Sequence, residues 1–391
     1  MRSVELFAGA GGLALGVSRA GFQHDAVIER DENTCITIRE NQRRGMKPLV
    51  DWPLFAHDVR EFNYSQLSDG IDLVAGGPPC QPFSIGGKHG AFRDTRDMFP
   101  EAVRAVRELR PKAFLFENVK GLLRDSFAKY LFYIQLQLTY PEISRRPDEE
   151  WVKHLSRLEK HHTCGSEGGL FYRVVCRLLN AANYGVPQRR ERIFIVGFRC
   201  DLGLEWSFPD ATYSQDALLW SQWVSDEYWE RHQISQKNRP KPTSSLIAKI
   251  ARLNNALFAP TSKPWLTVRD AIRDLPDPQT TSTSESYLNH RFMPGARPYP
   301  GHTGSPLDEP AKTLKAGDHG VPGGENMMLH PHGEVRYFTV RESARLQTFP
   351  NDYLFPVSWT ESMRQLGNAV PVKLAHAVAH SIASRLESVP R

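Results

Sequence analysis

The chain has 391 residues, 40% of them hydrophobic, with a net charge of +5 and a pI near 8.9. That length suits one large domain with a smaller companion, and no run of about 18 apolar residues offers a membrane span. Five cysteines, at 35, 80, 164, 176 and 200, are odd in number and never at CxxC spacing, which argues against a disulfide framework.

The first segment, MRSVELFAGAGG, lacks the apolar core of a secretory signal, so a cytoplasmic protein is expected. His161, His162 and Cys164 have no second pair nearby to complete a zinc site, and no metal is expected. The mildly basic balance is compatible with nucleic acid without requiring it.

Taken in chain order, SVELFAG reads as a buried strand, followed by a glycine turn and the helix LALGVSRAG. AVIER is a second strand and TCITIRENQ a second helix. DLVA, residues 72 to 75, is a strand running into a proline loop. The helix MFPEAVRAVRELR stops at Pro111, and AFLF, 113 to 116, is the next strand. Short apolar runs alternating with helical patterns are the signature of an α/β fold, a doubly wound and mostly parallel sheet. Residues 125 to 168 read as a charged, irregular insertion ahead of another core helix. RIFIVGF is then a further strand. Residues 200 to 335, rich in Trp, Pro, Gly, Ser and His, lose the rhythm and read as a smaller irregular domain. Residues 336 to 391 regain it and end in the helix VKLAHAVAHSIASRL, so they are expected to return to a catalytic domain at 1 to 199.

Three local patterns carry chemistry. GAGGLA, residues 9 to 14, sits between a strand and a helix and fits G-x-G-x-x-A, with Glu29 about 20 residues on. A carboxylate at that place can accept hydrogen bonds from ribose hydroxyls. The pattern implies an adenosine-containing cofactor and leaves NAD, FAD and S-adenosylmethionine open. A packing turn with a surface glutamate would look the same. Asp58, after LFAHDV, is a candidate acceptor for an adenine amino group. GGPPCQPFS, residues 76 to 84, fixes Cys80 among prolines at the end of a strand, where open α/β sheets bind ligands. A rigid polar loop suits a nucleophile, although a lone cysteine is often only core packing. In FLFENV, Glu117 ends a strand on the same expected rim. Apolar surroundings there would favour a proton-donating carboxyl, while a helix cap is the plainer role.

Together these residues resemble the DNA (cytosine-5)-methyltransferases of prokaryotic type. FAGAGG is similar to that family's first cofactor motif, PPCQPFS to its catalytic loop and ENV to its glutamate motif. QRRERIFIVGF, RESARLQTFP and QLGNAVPVKLA resemble its later motifs, in the family's order. The resemblance covers both ends of the chain and leaves 125 to 168 and 200 to 335 without a clear match. In this family the second of those stretches is the target-recognition domain.

The resemblance implies methyl transfer from S-adenosylmethionine to C5 of a flipped-out cytosine in a short double-stranded DNA sequence. Cys80 would attack C6, Glu117 would hold N3 and the exocyclic amine, and Arg190 and Arg192 would bind O2. Phe7, Gly9, Gly11, Glu29, Asp58, Pro78, Met98, Asn368 and Val370 would contact the cofactor. Met98 stands where the family usually has leucine. Ser84, Lys88, Arg93, Arg96 and Gln188 are candidate DNA contacts around the catalytic loop, with Lys88, Arg93 and Arg96 on a glycine-hinged lid. Arg291, Arg297, Lys312 and Lys315 are candidates in the irregular region. A restriction–modification or defence setting, a companion nuclease without a stable complex, and a monomer are expected. A tRNA substrate is the alternative within the family, but its usual Cys-Phe-Thr element is absent. A binding protein that keeps the fold without catalysis would not need Cys80, Glu117 and Arg190 together.

Overall fold

The computed structural model describes residues 1–79, 97–165, 168–280, 286–300, 302–317 and 326–388. The chain divides into two compact units. Unit 1 comprises Met1–Leu179, Glu191–Pro209 and Ala375–Arg391, and unit 2 comprises Asn180–Arg190 and Asp210–Leu374.

Unit 1 is built on a seven-stranded sheet. Its strands are β1 (Arg2–Leu6), β2 (Gln23–Glu29), β3 (Leu54–Ala56), β4 (Leu73–Gly76), β5 (Ala113–Val119), β6 (Tyr172–Asn180) and β7 (Glu191–Arg199). The order across the sheet is β3-β2-β1-β4-β5-β7-β6. β1 to β5 pair in parallel, and β7 runs antiparallel to β5. The central strands are apolar on both faces because helices cover both. Val4, Leu6, Val74, Phe114 and Phe116 join one core with the helix α3 (Phe99–Leu109).

Two glycines are required by close approach. A Cβ on Gly16, in α1 (Gly12–Arg19), would stand 2.4 Å from the Ala375 Cβ, so only glycine lets that helix and the C-terminal one touch. A Cβ on Gly197 would stand 2.2 Å from the Phe114 ring.

The stretch 125 to 168 departs from the irregular insertion expected. It forms α4 (Ala128–Thr139) and α5 (Trp151–Cys164) after the second helix of the unit, α2 (Glu32–Arg43). Tyr130, Tyr133, Ile134, Leu155 and Leu158 bury into the main core. The charges that made the sequence look irregular lie on the outer faces and in the turn between the helices. The element after it is β6, a strand rather than the expected helix. Its residues are RVVCRLLN after Tyr172, and the alternation of exposed and half-buried positions along it marks one wet face.

Unit 2 has short elements. These are α6 (Gln215–Trp223), α7 (Glu227–Arg231), α8 (Ser244–Asn254), α9 (Val268–Ile272), α10 (Val340–Leu346) and α11 (Trp359–Asn368). β8 (Tyr213–Ser214) pairs with β9 (Lys263–Pro264), and β10 (Ser305–Pro306), β11 (Met327–Leu329) and β12 (Val335–Tyr337) form a small sheet. Two apolar clusters support it, one around Tyr228 and Trp229 and one around Leu314, Met328 and Phe338. The last helix, α12 (Val372–Glu387), begins in unit 2 and continues into unit 1.

Candidate active site

The carboxyl ends of the parallel strands in unit 1 gather the first cofactor motif, the proline loop and the glutamate motif on one rim. Antiparallel β7 brings its amino end to the same rim.

At the end of β1 the chain turns sharply. Phe7, Gly9 and Gly11 all have positive φ, at 54°, 53° and 79°. Glycine adopts that region freely, whereas Phe7 is held there against its preference. The turn is tied to β2 by Glu29, whose carboxylate accepts N–H bonds from Gly9, Arg30 and Asp31, each at 2.8 Å. A carboxylate has about four acceptor positions, so three donors leave one for a ribose hydroxyl. A Cβ on Gly9 would meet nothing within 4 Å among the described residues, so that side of the turn is open to them.

Asp58 is held by arginines. Its two oxygens take the Arg60 backbone N–H, two Arg60 guanidinium N–H groups and one from Arg30, at 2.6 to 3.0 Å. Those four donors fill the carboxylate, and the Arg60 side chain, the largest influence, holds its pKa well below the usual range. Asp58 braces the turn after β3 through these two arginines.

The glutamate motif is set by sheet register. Glu117 lies opposite Phe194 and Val119 opposite Arg192 in the β5–β7 pair. Alternation therefore puts Glu117 and Arg192 diagonally on one face. Arg192 Nε lies 2.8 Å from Glu117 Oε1, and both side chains are nearly buried. Burial lowers the arginine's pKa from its ordinary value, and Glu117 acts against that. The other oxygen faces the residue that follows β4, where a Cβ on Gly77 would stand 3.3 Å from Glu117 Oε2. A side chain at position 77 would crowd that carboxylate.

Asn118 is a residue the sequence reading passed over. It is buried, and its Nδ2 donates to the Pro78 carbonyl at 3.0 Å. The strand that carries Glu117 thus also holds the proline loop. Beside it the Met98 N–H donates to the Pro79 carbonyl at 3.3 Å, and the Met98 side chain lies in the core. The ENV pattern contained the signal for Asn118, but only the glutamate had an obvious chemical reading. Cys80, Ser84, Lys88, Arg93 and Arg96 lie outside the described residues.

Arg190 and Arg192, read together from the sequence, have separate roles. Arg190 is fully buried in unit 2, where it donates to the carbonyls of Leu314 at 2.9 Å and Gly367 at 2.6 Å. That clamp is tight, since a Cβ on Gly367 would stand 2.2 Å from the Ala316 nitrogen. Gln188 is also fully buried. It accepts from the Leu314 N–H at 3.0 Å and donates toward the Leu346 carbonyl, so it holds backbone and has no surface for DNA. Lys312 bonds Thr303 through its ammonium at 2.9 Å. Arg291, Arg297 and Lys315 are exposed in unit 2, as is Asn368, while Val370 is buried.

A sequence model of the C-5 cytosine-specific DNA methylases matches residues 1–139 and 152–384. The chain belongs to that family. It is a DNA (cytosine-5)-methyltransferase of the prokaryotic restriction–modification type. It is similar to the type II methyltransferase M.PspPI of Psychrobacter, with 31% identity over 99% of this chain and 80% of that one. It is likewise 31% identical to M.NgoMIV of Neisseria gonorrhoeae, over 98% of each chain. Among solved structures, the fold resembles that of the S. pombe Dnmt2 methyltransferase, with a TM-score of 0.55 at 18% identity over all of both chains. The methylase model spans part of α5 and all of β6, which makes those elements part of the family's own frame.

The methylase also carries a buried acid without an evident role at the rim. Glu5 in β1 is fully buried, and neither carboxylate oxygen has a hydrogen-bond partner among the described residues. Burial raises its pKa well above the usual range, so it is held neutral. A lone acid inside an apolar strand of a parallel sheet was the signal for it.

Proposed function

We propose that this methylase transfers a methyl group from S-adenosylmethionine to C5 of a cytosine in a short specific duplex sequence, through a covalent bond between Cys80 and C6. The observation that carries the reading is the Glu117–Arg192 pair beside the loop that leads to Cys80, anchored by Asn118. A partner that fixes Glu117 Oε1 leaves the acid oriented and its other oxygen toward the proline loop.

The donor set fits the cofactor. The open turn at Phe7–Gly11 and the remaining acceptor position on Glu29 suit a ribose, with Phe7, Pro78 and Met98 giving apolar surroundings. When bound, S-adenosylmethionine supplies a methyl group made electrophilic by its sulfonium. The protein's residues do the rest. The target base leaves the stack, since its ring faces are covered in the duplex. Cys80 as thiolate adds to C6, and the electron pair moves toward C5 and N3. Glu117 hydrogen-bonds N3 and the amine, where charge changes during addition. Arg192 orients Glu117 and is proposed to help hold O2. C5 takes the methyl, a base accepts the C5 proton, and the Sγ–C6 bond breaks to return the thiolate. Ser84, Lys88, Arg93 and Arg96 on the catalytic loop, and Arg291, Lys312 and Lys315, serve the DNA. The proposed setting is a bacterial cytoplasm, with the enzyme a monomer working alongside a restriction nuclease.

The test is methyl transfer from labelled S-adenosylmethionine into unmethylated genomic DNA, with tRNA in parallel, followed by bisulfite sequencing. C5 methylation in one recurring duplex motif is expected. Label in tRNA alone, or none in either, would overturn the reading.

A further inference from the structure

Two consecutive carbonyls ahead of Cys80 are held by the fold. Asn118 of β5 donates to the Pro78 carbonyl at 3.0 Å, and the Met98 N–H donates to the Pro79 carbonyl at 3.3 Å. The second carbonyl belongs to the planar peptide that joins Pro79 to Cys80. Its orientation therefore sets the direction in which the chain delivers Cys80. The bond from Met98 is only as well placed as Met98 itself, the residue that precedes α3.

Met98 is placed by its neighbour. Asp97 accepts the Phe99 N–H through Oδ1 at 3.2 Å, closing a turn around Met98, and its other oxygen accepts the Tyr130 hydroxyl from α4. Tyr130 is 4% exposed and lies in the main core. Its ring is tilted against Tyr133 and edge-on to Trp151 of α5, at centroid distances of 6.2 and 6.3 Å. A ring held between two aromatic neighbours also fixes its oxygen, because a phenol has no rotatable heavy-atom bond beyond the ring. Phenylalanine would bury the same ring. The hydroxyl adds a bond to Asp97 that phenylalanine could not make.

We infer that Tyr130 is a positioning residue for methyl transfer. Its hydroxyl fixes Asp97, Asp97 fixes Met98, and Met98 holds the Pro79–Cys80 peptide in the orientation from which the thiolate attacks. The inference rests on the reading of Cys80 as nucleophile. It gives the stretch 125 to 168, which contains none of the catalytic motifs, a share in the chemistry.

The test follows methyl transfer from labelled S-adenosylmethionine into unmethylated genomic DNA by the full-length protein, with thermal melting of every variant. Tyr130→Phe removes the hydroxyl and keeps the ring. It is expected to lower kcat about tenfold, with KM for DNA and for cofactor within about twofold of the parent's. Tyr133→Phe, about one turn further along α4, loses a hydroxyl that is bonded to His154 instead and is expected to keep the parent's kcat. Asp97→Ala is expected to lower kcat at least as much as Tyr130→Phe, and combining the two is expected to cost nothing further. A Tyr130→Phe variant with the parent's kcat would overturn the inference. So would a loss carried by KM alone, or an equal loss in Tyr133→Phe, since helix packing would then be the cause. Independent losses from Asp97→Ala and Tyr130→Phe would overturn it as well. A parent that transfers no methyl would overturn the proposed reaction and the inference with it, and that result is read on the parent alone, before any variant is compared.

Discussion

The two units hold their backbones together by different means. In unit 1 the sheet satisfies its own amides and carbonyls, and apolar side chains fill both faces. In unit 2, whose strands are only two or three residues long, buried polar side chains take over that work. Arg190 binds two carbonyls. Arg341 binds three, those of Leu288, Pro350 and Tyr353. Gln188 and Gln347 reach others, and Arg336 pairs with Glu342 at 2.6 Å inside the unit. QRR, which read as catalytic and DNA-facing in the sequence, is in large part this scaffolding, and so is the arginine of RES. An arginine in a motif can thus serve the fold while its neighbour two residues on serves the site.

The contrast can be sharpened first at the chemistry. Cys80→Ser is expected to abolish turnover, and Glu117→Gln to lower kcat by about 100-fold or more, both with unchanged melting; a variant that melts early would instead make Glu117 part of the scaffold. Next comes Arg341→Ala. Leaving three carbonyls without their donor is expected to destabilise unit 2 by about 3 kcal/mol or more, with hydrogen exchange quickening in 286–300 and 340–355 before it does in β1 and β4. Uniform quickening would break the distinction between the units.

A smaller effect probes unit 1 through packing alone. Gly197→Ala drives a methyl into the Phe114 ring and is expected to cost roughly 1–3 kcal/mol in denaturant unfolding, without changing the salt dependence of DNA binding. The smallest concerns pH. Glu5 has a raised pKa, so its contribution is complete below the ordinary carboxyl range and declines as pH rises. His24, buried between Ser3 and the Ala14 carbonyl, is lowered to about 4 and acts oppositely, losing stability as pH falls below about 6.5. Each slope is about 1.4 kcal/mol per pH unit at most. Above about pH 4.5 the two oppose one another, and the His24 contribution is complete above about pH 6.5. Melting of Glu5→Gln should therefore rise up to about pH 6.5 and then level; a pH profile identical to the parent's would show that Glu5 does not titrate between the two states.

Much of unit 1 was legible because a strand buried on both faces must be apolar and a covering helix must be amphipathic, so SVELFAG, DLVA and AFLF announce themselves. The glycine turn with Glu29 and the ENV strand end were legible for the same reason, since strand ends in such a sheet share a rim. The stretch 125 to 168 misled because surface charge hid two helices whose inner faces are apolar. The roles of Asp58, Gln188 and Arg190 were not legible at all. Residue type told only that each could make hydrogen bonds. Gln188 and Arg190 meet Leu314 and Gly367, on segments up to 177 residues away, whereas Asp58 meets Arg60 only two residues on. Local pattern determined the elements and the order of the motifs. Tertiary contact alone decided which polar side chains face the chemistry and which hold the chain, because a buried donor goes to whatever acceptor the fold leaves without water.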